Sequence, residues 1–169
     1  MGATRLETRP GQEPVGDCVS GLVLVLDEML DVIEAANTSG AGKLDVQVQR
    51  RFVLQPTPPC IDIYPGDPLR DDSVGVFDDE LGNPGYFITV RTRIGSNDYD
   101  ATYDWLLETM DDESDLCLPL LFVDSTLNGH AMSVDVRDSS GLRAYENPQR
   151  PDTAFLGWQF TAMVMAAKS

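Results

Sequence analysis

The first group of side chains suited to chemistry lies at Thr38-Ser-Gly-Ala-Gly-Lys-Leu44. Its glycines and lysine are of the kind with which a phosphate-binding loop wraps a nucleotide, through backbone amides and one ammonium group. Two positions fail, because Asn37 stands where the first glycine belongs and Leu44 where a Ser or Thr would hold magnesium. The surrounding elements also run helix then strand, the reverse of what such a loop needs. A flexible turn is the expectation. Asp71, Asp72, Asp78, Asp79 and Glu80 form a second group, rich in the hard oxygen ligands that calcium and magnesium prefer. They lack the alternating ligands, central glycine and closing Glu of an EF-hand, so a solvated acidic loop is expected there. Asp98, Asp100 and Asp104 are read the same way, the last two on the solvent face of a helix.

His130 is the only histidine, so any serine or cysteine nucleophile activated by imidazole would have to use it. No Gly-x-Ser-x-Gly elbow is present, and His130, between Gly129 and a predicted strand, reads as a loop residue. Cys18, Cys60 and Cys117 are odd in number and far apart, without C-x-x-C spacing, and are expected to be reduced, mostly buried thiols. Arg50, Arg51, Arg91 and Arg93 lie on or near predicted strand faces. Solvent-facing charge that blunts edge pairing is one reading; a contact patch for an acidic neighbour is the sharper one. No catalytic, cofactor-binding or metal-binding residue stands out, and the chain is read as not an enzyme, with no cofactor.

A chain of 169 residues suits one domain with a sizeable core. Its formal charge of −16 argues against a surface that grips nucleic acid by neutralising phosphates. No stretch has the length of a membrane span, and the N-terminus lacks the apolar run of a signal peptide, so the expected setting is the cytoplasm, away from membranes.

The elements that must position these groups follow from periodicity. Residues 1–16 mix Arg, Glu, Pro and Gly without pattern and read as a mobile arm. From Asp17, a possible N-cap, Val19, Leu22, Val23, Leu26, Leu30 and Ile33 recur at helical spacing, while Leu24, Val25 and Val32 widen the apolar arc enough to suggest a second packing surface. Leu44 to Leu54 alternate as a long half-buried strand, stopped by Gln55-Pro-Thr-Pro-Pro59 before a short strand at Cys60–Tyr64. Residues 69–85 read as a long acidic loop. Tyr86–Ile94 alternates again, Tyr99–Met110 is amphipathic, and Leu116–Leu127 is predicted as a helix kinked around Pro119. Met132–Arg137 and Leu142–Tyr145 are expected to form a hairpin. In Phe155–Ala166, Leu156, Trp158, Phe160, Ala162, Val164 and Ala166 share one wholly apolar face. The expected class is α+β: an antiparallel or mixed sheet with helices packed on one face, in a single domain spanning 17–169.

This order of elements, with the closing Leu156-Gly-Trp-Gln-Phe-Thr strand, resembles the tail terminator, or tail-completion, proteins of long-tailed bacteriophages. The resemblance runs from about Asp17 to Ala166, in architecture and strand texture rather than in signature residues. It implies a virion protein that forms a ring, commonly a hexamer, at the head-proximal end of the tail, after assembly in the host cytoplasm. Such a ring ends tail tube polymerisation, meets the tail tube protein and the head–tail connector protein, and lets DNA pass without specific binding. Leu24, Val25, Val32, Arg91, Arg93 and Met163 are then the candidate contacts between subunits or with tail and head. A head-side neck or adaptor protein and a small acidic metal-dependent enzyme are the alternative readings.

Overall fold

A computed structural model describes residues 21–39, 44–66, 76–78, 84–95, 99–151 and 153–167. Two long antiparallel strands, β4 (Pro84–Ile94) and β7 (Ala154–Ala166), run side by side from Gly85 opposite Met165 to Ile94 opposite Leu156. The other strands attach to their two free edges. Along β4 lie β3 (Val76–Asp78), against Pro84–Tyr86, and β2 (Cys60–Pro65), against Ile88–Arg93. Along β7 lie β5 (Ala131–Arg137), against Thr161–Ala166, and β6 (Arg143–Glu146), against Ala154–Gly157. A short β1 (Gln47–Gln49), parallel to β2, brings the mixed sheet to seven strands among the described residues.

Because register is fixed, the two faces can be read directly. One carries Ile61, Ile63, Tyr86, Ile88, Val90, Ile94, Trp158, Phe160, Ala162 and Val164, all buried. The helices α1 (Gly21–Ser39), α2 (Tyr99–Glu108) and α3 (Leu118–Phe122) pack here through Val25, Leu26, Met29, Ile33, Trp105, Leu106, Leu118 and Phe122, in one hydrophobic cluster. Trp158 stacks on Phe160 with ring centroids 5.5 Å apart. The fold is therefore α+β, with a mixed sheet and its helices on one face. No helix of the described residues is long and apolar enough to cross a membrane.

Three expectations are corrected. The alternation from Leu44 to Leu54 yields only three strand residues; Leu44, Val46 and Val48 do pack on the core, but after Gln49 the chain leaves the ladder and crosses the opposite face. Helix α3 stops at Phe122 instead of reaching Leu127, because Val123 is extended and Asp124 takes positive φ; a separate 3₁₀ turn follows at Leu127–Gly129, with Leu127 and Asn128 also at positive φ. Finally, β5 and β6 do not form a hairpin with each other. Both pair with β7, whose thirteen residues are long enough for two partners in succession, and Ser140 bridges the gap by donating its N–H to the Gln159 carbonyl at 2.8 Å.

Candidate functional site

The sheet face away from the helices is polar, yet most of it is buried. Asp62 on β2 stands directly opposite Arg91 on β4, and Arg93 lies two residues further on the same face. Arg91 Nη2 donates to Asp62 Oδ2 at 2.6 Å, and Arg93 Nη2 donates to the same oxygen. Asp62 is fully buried, and Arg91 and Arg93 are only 2% and 3% exposed. The chain that leaves β1 forms the roof. Phe52 lies over Arg91, with the guanidinium carbon 4.5 Å from its ring centroid, and the Val53 carbonyl accepts from Arg93 Nη2 at 2.8 Å. Tyr64 and Tyr145 each bring a ring centroid to 5.4 Å from the Arg91 guanidinium, so an aromatic cage surrounds that cation.

Electrostatically the cluster holds two guanidinium groups against one carboxylate, a net charge of +1 inside a chain of −16. Asp62 Oδ1, Thr89 Oγ1, Arg91 Nε and Arg93 Nε have no hydrogen-bond partner among the described residues. Burying them unpaired works against stability, while the Val53 N–H and carbonyl, bonded to Asp62 Oδ2 and Arg93 Nη2, tie the chain that leaves β1 to the sheet. Cys60 lies at its margin, where burial is the main cause that pushes the thiol from 9.0 up to about 12, against the lowering pull of Arg93. Burial likewise raises the Tyr145 phenol above its ordinary value. A thiol held this firmly in its neutral form is a poor nucleophile.

Beside the cluster, where β4 ends and β7 begins, lies a cleft of about 310 Å³ between Pro56, Pro58 and Pro59 on one side and Asn147, Gln149, Arg150 and Thr153 on the other. Gln55, Thr102 and Phe155 also line it, and none of its described lining residues is a carboxylate.

The predicted site residues are scattered. Arg91 and Arg93 are not solvent-facing charge or an accessible contact patch, because cross-strand pairing with Asp62 turns them inward. Val25 belongs to the core, since the central stripe of α1 faces the sheet; Leu24 is half-buried, and Val32 is half-buried against the core. Met163 is half-buried on the polar face. Asp78 ends strand β3, so the segment read as an acidic loop contains a strand; Asp71, Asp72, Asp79 and Glu80 lie outside the described residues, as do Cys18, Asp98 and most of the glycine-rich turn. His130 Nε2 lies 3.8 Å from Glu28 Oε1, partly exposed. Cys60 and Cys117 are free and buried, as expected. Among the described residues no group of three His, Cys, Asp or Glu could hold a metal ion.

Sequence reasoning missed Asp62. A charged residue between Ile61 and Ile63 on a strand was the available signal, but its partners lie 29 and 31 positions away. No protein-family model matches the chain, and no curated protein is significantly similar to it.

Proposed function

We propose that this chain is a tail-terminator protein of a long-tailed bacteriophage, assembling as a ring at the head-proximal end of the tail, ending tube growth and joining tail to head. The observation that carries this reading is the run of elements: α1, the proline-broken β1–β2 edge, β4 leading into α2, and β7 closing the sheet. These are elements that the resemblance to this class counted; the long Leu44–Leu54 strand and the last hairpin that it also counted are replaced by a three-residue β1 and by two strands that each pair with β7. Charge supports it. Withdrawing Arg91 and Arg93 from the surface against a single aspartate leaves the exterior more acidic than the formal charge implies, and a channel lined by such a surface repels duplex DNA and lets it slide.

Native mass measurement and electron microscopy of the purified chain, alone and with tail tubes, test the proposal. A closed ring, expected as a hexamer, that caps tubes is the predicted outcome. A chain that stays monomeric under both conditions overturns it, and one that joins filled heads but not tails is a head-side adaptor instead.

A further inference from the structure

The cleft and the most acidic described turn lie at opposite ends of one helix. Thr102, near the start of α2, lines the cleft, whereas Asp111, Asp112, Glu113 and Asp115 follow the last turn of the same helix. Ten helical residues span roughly 15 Å, so the acidic turn cannot fold back into the cleft of its own chain.

The described residues of the cleft and the turn carry opposite charge. Arg150 is the one charged residue among the described lining of the cleft. Behind its Phe155 wall the Arg93 guanidinium lies 5.8 Å from the ring centroid, as part of the cluster whose net charge is +1. The side-chain amide of Gln149 stands on the same wall as Arg150 and can donate to a carboxylate, while Asn147 shapes that wall by donating to Thr153 Oγ1 at 3.3 Å and accepting from the Gln149 N–H at 3.0 Å.

The acidic turn is also closed by its own hydrogen bonds. The Ser114 N–H donates to the Asp111 carbonyl at 3.0 Å, the Glu113 N–H to Asp111 Oδ1 at 3.1 Å, and the Leu118 N–H to the Thr109 carbonyl at 3.0 Å. Buried Cys117 and Leu118 anchor its far end, while Asp112, Glu113 and Asp115 are exposed. A turn fixed in this way loses little freedom on docking.

We infer that the cleft receives the Asp112–Asp115 turn of a second copy of this chain. The contact uses two different surfaces of each copy, which is the head-to-tail type that closes a ring or extends a filament. It rests on the ring reading above and names the surfaces that close the ring.

A charge swap tests it, read by native mass measurement and sedimentation at low salt. Arg150→Glu is expected to raise the concentration needed for half-assembly about tenfold, as is Glu113→Arg, with thermal melting of the subunit unchanged because both side chains are exposed. Combining Arg150→Glu with Glu113→Arg is expected to restore assembly. A wild-type ring that Arg150→Glu leaves untouched, or two single variants that the combination does not rescue, overturns the contact and leaves the ring reading standing. A wild-type chain that is monomeric with and without tail tubes overturns both.

Discussion

Trp158 donates its indole N–H to Thr109 Oγ1 at 2.8 Å, and Thr109 donates onward to the Leu106 carbonyl at 2.6 Å. The closing strand is thus fastened to the end of α2 by one buried hydroxyl. Trp158 and Thr109 are both 1% exposed, so neither the indole N–H nor the hydroxyl has water to fall back on. Trp158→Ala removes a core aromatic and should cost about 3 to 5 kcal/mol in urea unfolding. Thr109→Val keeps the volume but strands the indole donor, and should cost about 1 to 3 kcal/mol. A Thr109→Val protein as stable as wild type would show that the hydrogen bond contributes nothing.

The Asp62 cluster gives a second test, because breaking a buried ion group differs from replacing it. Asp62→Ala leaves two buried guanidinium groups without a carboxylate, an expected loss of about 3 to 5 kcal/mol. Replacing all three members together, as Asp62→Val with Arg91→Met and Arg93→Met, should recover most of that loss, since no uncompensated charge remains. Denaturant midpoints of the two proteins decide the matter. Equal destabilisation would mean that the cluster acts through contacts other than charge pairing, for instance the Arg93 bond to the Val53 carbonyl.

Cys60 makes stability depend on pH in the alkaline range. Its thiol is raised from 9.0 to about 12 in the folded chain, so the folded state holds a proton that the unfolded state releases. The stabilisation is fully present below pH 9, declines as pH rises from there, and is lost once pH passes about 12. Tyr145, also raised, acts in the same direction. Cys60→Ala should flatten the decline between pH 9 and 11 relative to wild type. In a Cys18→Ser background, native protein at pH 8 should react with a thiol reagent far more slowly than unfolded protein, because Cys60 and Cys117 are buried.

Gly157 lies where β7 packs tightly against the backbone of β4. A Cβ built there would lie 2.0 Å from the Thr92 carbonyl oxygen and 3.1 Å from the Arg93 Cα, both backbone atoms that cannot move without separating the central strands. Gly157→Ala should cost about 3 kcal/mol or more, at the upper end of overpacking effects, and Gly141→Ala, where nothing lies within 4 Å, serves as the neutral comparison. Equal stability of the two proteins would mean that the strands have room to part.

The elements legible in the sequence were those whose period matched a single burial environment. Alternation in Tyr86–Ile94 and Phe155–Ala166 revealed the two strands that lie together at the centre, and the apolar arc of α1 revealed its core face. Where a segment changes environment along its length, the period misleads. Phe52 keeps the alternation of Leu44, Val46 and Val48 yet belongs to the opposite sheet face, because the chain crosses the β1 edge between them. Partner choice was equally hidden. A turn-like Ser139-Ser140-Gly141 between two alternating runs is the pattern of a hairpin, and only the length of β7 explains why both runs pair with it instead. The Asp62, Arg91 and Arg93 side chains meet through register alone, which no local pattern encodes.

Met163 provides a test of the polar face as an assembly surface, under the ring reading. It pairs with Phe87 on one side and Asp135 on the other, and is half-buried in the single chain. Asp135 is already engaged by Arg137, whose Nε donates to it at 2.7 Å, so a new carboxylate at 163 would stand beside an existing one. In an isolated subunit, where that position is half open to water, the penalty of Met163→Glu should stay within about 1 kcal/mol. Buried between subunits, the same carboxylate would lose its hydration without gaining a partner, and ring formation should fail. The variant is therefore expected to melt near the wild-type temperature yet remain monomeric in sedimentation. If it assembles as wild type does, this part of the polar face borders solvent in the ring, and the subunit boundary must lie elsewhere on the chain.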